Sequence, residues 1–275
     1  MTPRLFLLLL PTFFCLAASS QISRQQLLDK KSEERAQKRE RINQLIRNEE
    51  EGVPSFAKHT IFSIKTHHDG YGVLLEKGFS KTPYKSTIFQ LEISEKQHPK
   101  EDKQTMITDY SSGFAFFGRP FVYGKQNIFY QVKLGAGQQR LIGGKGNKNG
   151  VAVYSVLNGG FTAGLARPYY IEFNIPGDAV KRKYSEADRQ LFLNEQRIIG
   201  GTGLQLGWND MKFIPGVYGK AGLRFDWARF NQVVSAIEFG FAFDFYTQKV
   251  VQMVDNPGRN FFPTGYIGLV FGNRK

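Results

Sequence analysis

Ile237-Glu238-Phe239-Gly240-Phe241-Ala242-Phe243-Asp244-Phe245 alternates without a break between large apolar residues and small or acidic ones. Successive side chains of a β-strand point to opposite faces, so Ile237, Phe239, Phe241, Phe243 and Phe245 share one face. Glu238, Gly240, Ala242 and Asp244 take the other. A strand inside a soluble sandwich rarely carries two carboxylates on its second face. A strand of a membrane barrel does so readily, because one face meets hydrocarbon and the other an enclosed polar interior. The preceding segment keeps the pattern, with Ala221, Leu223, Phe225 and Trp227 alternating with Lys220, Gly222, Arg224 and Asp226. These stretches predict an all-β chain closed into an antiparallel transmembrane β-barrel.

The start of the chain agrees with export. Arg4, an apolar run opening at Leu5 to Leu10, and the small residues Leu16-Ala17-Ala18-Ser19-Ser20 have the form of a signal peptide over 1–20, cut near Gln21. Cys15, the lone cysteine, lies within it. The mature chain is therefore expected to hold neither a disulfide framework nor a thiolate metal site. Phe13-Phe14 before that cysteine argues against a lipoprotein. The net charge of +13 suits anionic lipid headgroups or lipopolysaccharide phosphates, and the compartment argues against nucleic acid. A mildly negative mean hydropathy is compatible with a membrane barrel, since strands that alternate faces average towards neutrality.

Residues 21–52 read as a separate unit, closed off before 56 by Gly52-Val53-Pro54. From Ser23 to Glu51 there is no Gly or Pro, and basic and acidic residues nearly balance. Good helix formers dominate, and i,i+4 ion pairs add a few tenths of a kcal/mol each. The expectation is a charged helical periplasmic arm over 21–55, either solvated or docking a protein partner of the periplasm or outer membrane. Ile42, Leu45 and Ile46 are its seat.

Residues 56–275 read as the barrel. Candidate strands are 59–67, 70–79, 86–97, 127–138, 150–172, 202–213, 217–230, 233–249 and 261–272, with 113–123 a further one. Even counts close single-chain bacterial barrels, which favours eight strands with ten as the alternative. The first two candidates read as one bent strand or as a hairpin through His68-Asp69-Gly70, Asp-Gly being a strong turn signal. Asn231-Gln232 and Ile214-Pro215-Gly216 read as tight turns, and 98–112, 139–149 and 173–201 as longer loops. Leu191, Phe192 and Leu193 suggest a short helix at one barrel mouth. Gly265 to Phe271 forms a final strand with Ile267, Leu269 and Phe271 on one face, the aromatic-bearing ending expected of an outer-membrane barrel.

Several motifs carry a resemblance: Asn48-Glu49-Glu50-Glu51-Gly52, Asp69-Gly70-Tyr71-Gly72-Val73, Lys81-Thr82-Pro83-Tyr84-Lys85, His98-Pro99-Lys100-Glu101, Tyr123-Gly124-Lys125-Gln126-Asn127 and Ala166-Arg167-Pro168-Tyr169-Tyr170. On these the chain resembles the small outer-membrane β-barrel proteins of Bacteroidota, within them a set with a charged N-terminal segment and no assigned activity. The resemblance implies a cell outer-membrane location and this fold. It implies no catalytic residue.

The residues themselves suggest little catalysis. His67 and His68 are strand neighbours that face opposite ways, so they do not share a metal ion, and solvated turn or interface histidines are the better reading. Ser63, His67 and Glu76 are the nearest approach to a nucleophile, base and carboxylate, but Ser63 and His67 stand about 13 Å apart along a strand. Gly143-Gly144-Lys145-Gly146 lacks the strand-to-helix context of a phosphate loop and reads as a flexible basic loop. No cofactor is expected. Lys220, Arg224, Asp226, Glu238 and Asp244 all fall on the inner face, and an eight-stranded bore is just wide enough for side chains to fill. They are expected to pair as a lumen charge network. Leu223, Phe225, Trp227, Ile237, Phe239, Phe241, Phe243, Phe245, Leu269 and Phe271 are expected to face lipid. The expected role is structural or accessory in an envelope assembly; a lipid-modifying enzyme, a small pore and a secreted ligand-binding β-domain are the alternatives.

Overall fold

A computed structural model of the protein describes residues 28–41, 43, 56–111, 114–146, 150–175, 178–228 and 232–275. The expected signal peptide and much of the arm lie outside them, including Leu45 and Ile46. Within the first compact unit, which ends at Glu51, residues 28–41 are helical and exposed throughout.

The second unit holds eight long strands: β1 (Lys58–His67), β2 (Gly70–Thr82), β3 (Lys85–Lys96), β4 (Asn127–Gly143), β5 (Ala152–Pro168), β6 (Lys212–Asp226), β7 (Val233–Val250) and β8 (Arg259–Arg274). Each pairs antiparallel with its neighbour in sequence, and β1 closes on β8 from His59↔Arg274 to His67↔Tyr266. Closure leaves no free edge, so the unpaired backbone groups that make an open sheet a template for aggregation are removed. The expected eight-stranded barrel is the observed one.

The up-and-down order sorts the connections between two ends. The β1–β2 turn and the connections 97–126, 169–211 and 251–258 lie at one end. The turn at 83–84, the connections 144–151 and 227–232, and both ends of the barrel chain lie at the other. Of the two readings of this segment, the hairpin through His68-Asp69-Gly70 is the observed one. Gly70 adopts φ +154°, and a Cβ there would lie 1.9 Å from the Glu95 carbonyl oxygen.

Several sequence expectations change. Residues 202–211 form no strand, although Leu204, Leu206 and Trp208 alternate; Gly203 (φ 65°) and Gly207 (φ 92°) turn the backbone out of extension. Strand β6 therefore begins at Lys212. Ile214-Pro215-Gly216 lies inside that strand and is not a turn. Pairing with β7 starts only at Gly216↔Tyr246, and Thr247 Oγ1 donates to the Pro215 carbonyl (3.1 Å). A strand residue's N–H and C=O point to the same side, so the missing proline N–H falls where no ladder bond exists. Residues 150–172 break at Tyr169 into β5 and a new strand, Tyr170–Ile175. That strand pairs with Asp178–Lys183 and Ile198–Gly201, so 173–201 carries a three-stranded sheet where a loop was expected. The expected helix at Leu191 is real but brief, Arg189–Phe192. Phe192 packs with Phe121, Tyr169, Ile171, Phe173 and Ile198 in the apolar core of that small sheet. Residues 113–123 contribute two fragments, Phe114–Phe117 and Phe121–Val122, instead of a barrel strand, and β4 extends through Gly143.

The 202–211 segment is tied down from both sides. Tyr170 donates to Asp210 Oδ2 (2.7 Å) and Lys183 Nζ does the same (3.1 Å), which holds the Asp210 carboxyl below its usual range. Trp208 stacks on Tyr130 at 6.0 Å, with the Arg167 guanidinium 4.7 Å from the Trp208 ring centre.

Inside the bore, two apolar clusters lie above and below a polar middle. Phe129, Ala166, Ile214, Tyr246, Val250 and Phe262 pack near the loop-bearing end. Ile61, Val234, Ala236 and Val270 pack near the terminus-bearing end. Phe129 of β4 stacks on Phe262 of β8 at 5.6 Å, and strands four apart in an eight-strand ring stand opposite each other. Phe129→Ala is expected to lower stability by about 3–5 kcal/mol, because ring and packing partners are lost together. Reversible urea unfolding in detergent micelles, read by intrinsic fluorescence, measures this.

Candidate functional site

The polar middle of the bore is built by the inward-facing positions of all eight strands. Arg224 on β6 is its centre. Its Nη1 and Nη2 each donate to Glu76 on β2, both at 2.8 Å, while Nε and Nη2 donate to Glu238 Oε2 on β7 at 2.9 and 2.6 Å. A further bond runs from Nη1 to Gln139 Oε1 on β4 (2.9 Å). Glu76 also accepts from Gln90 Nε2 (2.5 Å) and lies 3.0 Å from His59 Nε2. Tyr266 donates to Glu238 Oε1 (2.9 Å).

A second nucleus surrounds Glu92 on β3. Lys65 lies 3.2 Å away, Lys220 3.5 Å, and Lys133 and His67 each 3.9 Å. Lys65 also reaches Glu238 (3.5 Å), which joins the two nuclei. Lys133 donates to Asp244 Oδ2 (2.9 Å), and Gln131 approaches the same oxygen (3.4 Å). Lys65, Lys133, Lys220 and Arg224 thus stand against Glu76, Glu92, Glu238 and Asp244, so the charge cancels within the middle layer. All eight side chains are buried.

The two mouths repeat the pairing. Lys96 donates to both oxygens of Asp69 at 2.8 and 2.7 Å at the loop-bearing end. At the other end Arg274 pairs with Asp226, and Phe56 lies over the guanidinium at 4.8 Å.

Of the residues singled out from sequence, Lys220, Arg224, Glu238 and Asp244 meet in this middle layer. Asp226 does not join them and pairs at the mouth. On the outer surface, Leu223, Trp227, Phe239, Phe241, Phe243, Phe245, Leu269 and Phe271 are exposed, and Phe225 and Ile237 are half-buried. Phe225 stacks on Phe239 at 5.1 Å, which accounts for its partial cover.

Sequence reasoning missed the facing half: Lys65, Glu76, Glu92 and Lys133 on β1 to β4. The signal was plain for Glu92 and Lys133, which have apolar outward neighbours on both sides, and weaker for Lys65 and Glu76, which are followed by Thr66 and Lys77. Glu92, for example, is flanked by Leu91 and Ile93. His59 and His67 also lie inside the bore, which corrects the reading of His67 as a solvated turn or interface residue; only His68 is exposed. Ser63, His67 and Glu76 are not assembled as a triad. The carboxylate near His67 is Glu92, and Glu76 is engaged by Arg224, Gln90 and His59. No group of three metal-ligating side chains occurs among the described residues.

No family model matches the chain, and no curated protein matches it in sequence. It is similar to several solved structures. Neisserial surface protein A aligns at 7% identity over 79% of this chain and 96% of its own, with a TM-score of 0.37. The attachment invasion locus protein Ail of Yersinia pestis aligns at 10% identity over 80% of this chain and 100% of its own, with a TM-score of 0.35. A major outer membrane protein from Thermus thermophilus aligns at 12% identity over 78% and 96%, with a TM-score of 0.33.

Removing one member of a buried ion network leaves the remainder uncompensated and costs about 3–5 kcal/mol. Arg224→Met strands Glu76 and Glu238 together and is expected to fall in that range. Lys220→Met is expected to cost less, because Lys220 Nζ makes no hydrogen bond and Glu92 keeps Lys65 beside it. Combining Arg224→Met with Glu76→Gln and Glu238→Gln is expected to recover most of the loss. Parallel unfolding of the three forms in micelles tests the order, and an equal cost for Arg224→Met and Lys220→Met would count against it.

Proposed function

We propose that the chain is an integral barrel of the cell outer membrane with a plugged bore, acting as a structural or accessory subunit of an envelope assembly. The observation that carries this reading is the inversion of polarity across one wall. Outward positions on β5 to β8 are apolar or small through the middle of the barrel, with Phe161 75% and Phe241 66% exposed. Inward positions on the same strands hold buried charge. In water that arrangement leaves phenylalanines solvated and ions desolvated; in a bilayer both sides are matched. Strands β4 to β8 run for 15 to 18 residues, longer than the roughly 9–11 needed to cross hydrocarbon at a tilt. Leu223, Phe225, Ile237, Phe239, Phe241, Phe243, Phe245, Leu269 and Phe271 then face lipid, with Trp227 beside the end of β6.

With both termini of the barrel at its short-turn end, that end faces the periplasm and the long connections face outward. The 21–52 arm, charged and helical over 28–41, enters the periplasm, where it attaches a protein partner. A lone barrel has no need of such an arm. The resemblance to Bacteroidota barrels with a charged N-terminal segment agrees with this role. A pore is the weaker reading, because Glu76–Arg224 and Phe129–Phe262 meet across the bore. A lipid-modifying activity is weaker still, since Ser63 and His67 are enclosed within the wall.

Three measurements test the proposal. The protein is expected to leave membranes with detergent and to resist salt and carbonate; release by carbonate would refute membrane integration. In planar bilayers it is expected to show no steady open-porin conductance, and such a conductance would refute the plugged bore. Deleting residues 21–52 is expected to remove co-purifying partners while the barrel still inserts, and an unchanged partner set would refute the role of the arm.

A further inference from the structure

The outer wall is not uniform in charge. Among the described outward positions of the eight strands the single carboxylate is Glu95, which sits towards the loop-bearing end and accepts from Tyr71. At the terminus-bearing end, Lys58, Lys77, Lys81, Lys85 and Arg140 all point outward and are exposed, all on β1 to β4. Outward positions at the same end of β5 to β7 are apolar or neutral. No acidic side chain faces outward at this end among the described residues.

Two of these cations are direct cross-strand partners: Lys85 of β3 stands opposite Arg140 of β4. Like charges so placed repel and destabilise the pair. Gln138 Oε1 accepts from Arg140 at 3.1 Å and supplies no charge. Lys77 bends its amine over the Phe79 ring (6.0 Å), one inward–outward repeat nearer the rim, in the manner of a lysine reaching for a membrane interface. Phe79 and Phe89 pack edge to face at 6.3 Å beneath the patch, and Tyr84 is exposed at its lip. Basic side chains on an aromatic ledge at the edge of an apolar band suit a phosphate whose own tails lie against that band.

We infer that the β1–β4 side of this rim recognises the phosphate of anionic phospholipid headgroups, with Lys85 and Arg140 sharing the anion and Lys58, Lys77 and Lys81 supplying the surrounding field. This rests on the membrane reading above.

The test uses the full chain and its Lys85→Glu and Arg140→Glu variants, purified from micelles containing equal phosphatidylglycerol and phosphatidylcholine. Bound lipid is quantified by mass spectrometry, and unfolding temperature is followed in nanodiscs of each lipid. The native chain is expected to enrich phosphatidylglycerol. Each variant is expected to reduce that enrichment by roughly fivefold or more, from the loss of one interfacial cation. Lys85→Glu places a carboxylate against Arg140, so it is also expected to raise the unfolding temperature in phosphatidylcholine discs and to gain less from phosphatidylglycerol. Equal enrichment in all three forms would overturn the inference and leave the patch to an acidic protein segment. Equal stabilisation by inorganic phosphate in phosphatidylcholine discs would overturn the headgroup as its source. Failure of every form to enter discs would instead overturn the membrane reading itself.

Discussion

A single guanidinium, that of Arg224, holds carboxylates from both walls of the bore. Glu76 and Glu238 approach it from opposite sides, and it is the group that hydrogen-bonds both buried carboxylates, whose burial without such a partner would be costly. Five donors in a rigid planar fork let one side chain serve Glu76 in two-pronged fashion while still reaching Glu238 and Gln139. A lysine has no such geometry, and the lysines of the second nucleus show the difference. Three of them gather near Glu92, at 3.2 to 3.9 Å, and one makes no hydrogen bond at all. The barrel is drawn together across its diameter at Arg224 and less tightly beside it.

That arrangement makes sense of the wall. Buried ion pairs in an ordinary core are often matched or bettered by apolar residues of similar volume. A barrel whose outer face is already apolar cannot make its inner face apolar as well without strands that lose their alternation, and alternation is what fixes register: a slip by one residue exchanges the two faces completely. Charges inside therefore do more than fill space. Each inward carboxylate or cation penalises any register that would turn it outward beside Phe239 or Phe241, so the network and the phenylalanine face specify the same alignment.

The alternation was legible because it is local. Residues 237 to 245 carry their two faces in plain view, and the closed eight-strand order followed from repeating that reading along the chain. The charges on β6 and β7 were legible for the same reason. Their partners on β1 to β4 required knowing which strands stand opposite, and that depends on closure, which no local pattern encodes. The errors share a cause as well. Leu204, Leu206 and Trp208 alternate as a strand does, but Gly203 and Gly207 take left-handed conformations, and that segment lies against Tyr130 and Arg167 instead of in the ladder. Pro215 read as a turn because proline usually ends a strand, yet here it occupies a position where β7 has not begun to pair. The sheet at 170–201 was hidden because its strands are only four to six residues long, its edge strand Asp178–Lys183 is mostly charged, and its apolar core is assembled from residues as distant as Phe121 and Phe192.

The two ends of the barrel differ in kind. At the loop-bearing end, long connections build an apolar core of their own and carry many of the acidic residues of the second unit, Glu172, Asp178, Glu186, Asp188, Glu195 and Asp210 among them. At the terminus-bearing end the turns are short and the outward charge is all of one sign. A cylinder that was merely a spacer would need neither asymmetry. Long connections of mixed charge at one end and a short-turn rim whose outward charges are all basic at the other make the two ends electrostatically distinct, so each would meet a membrane surface differently.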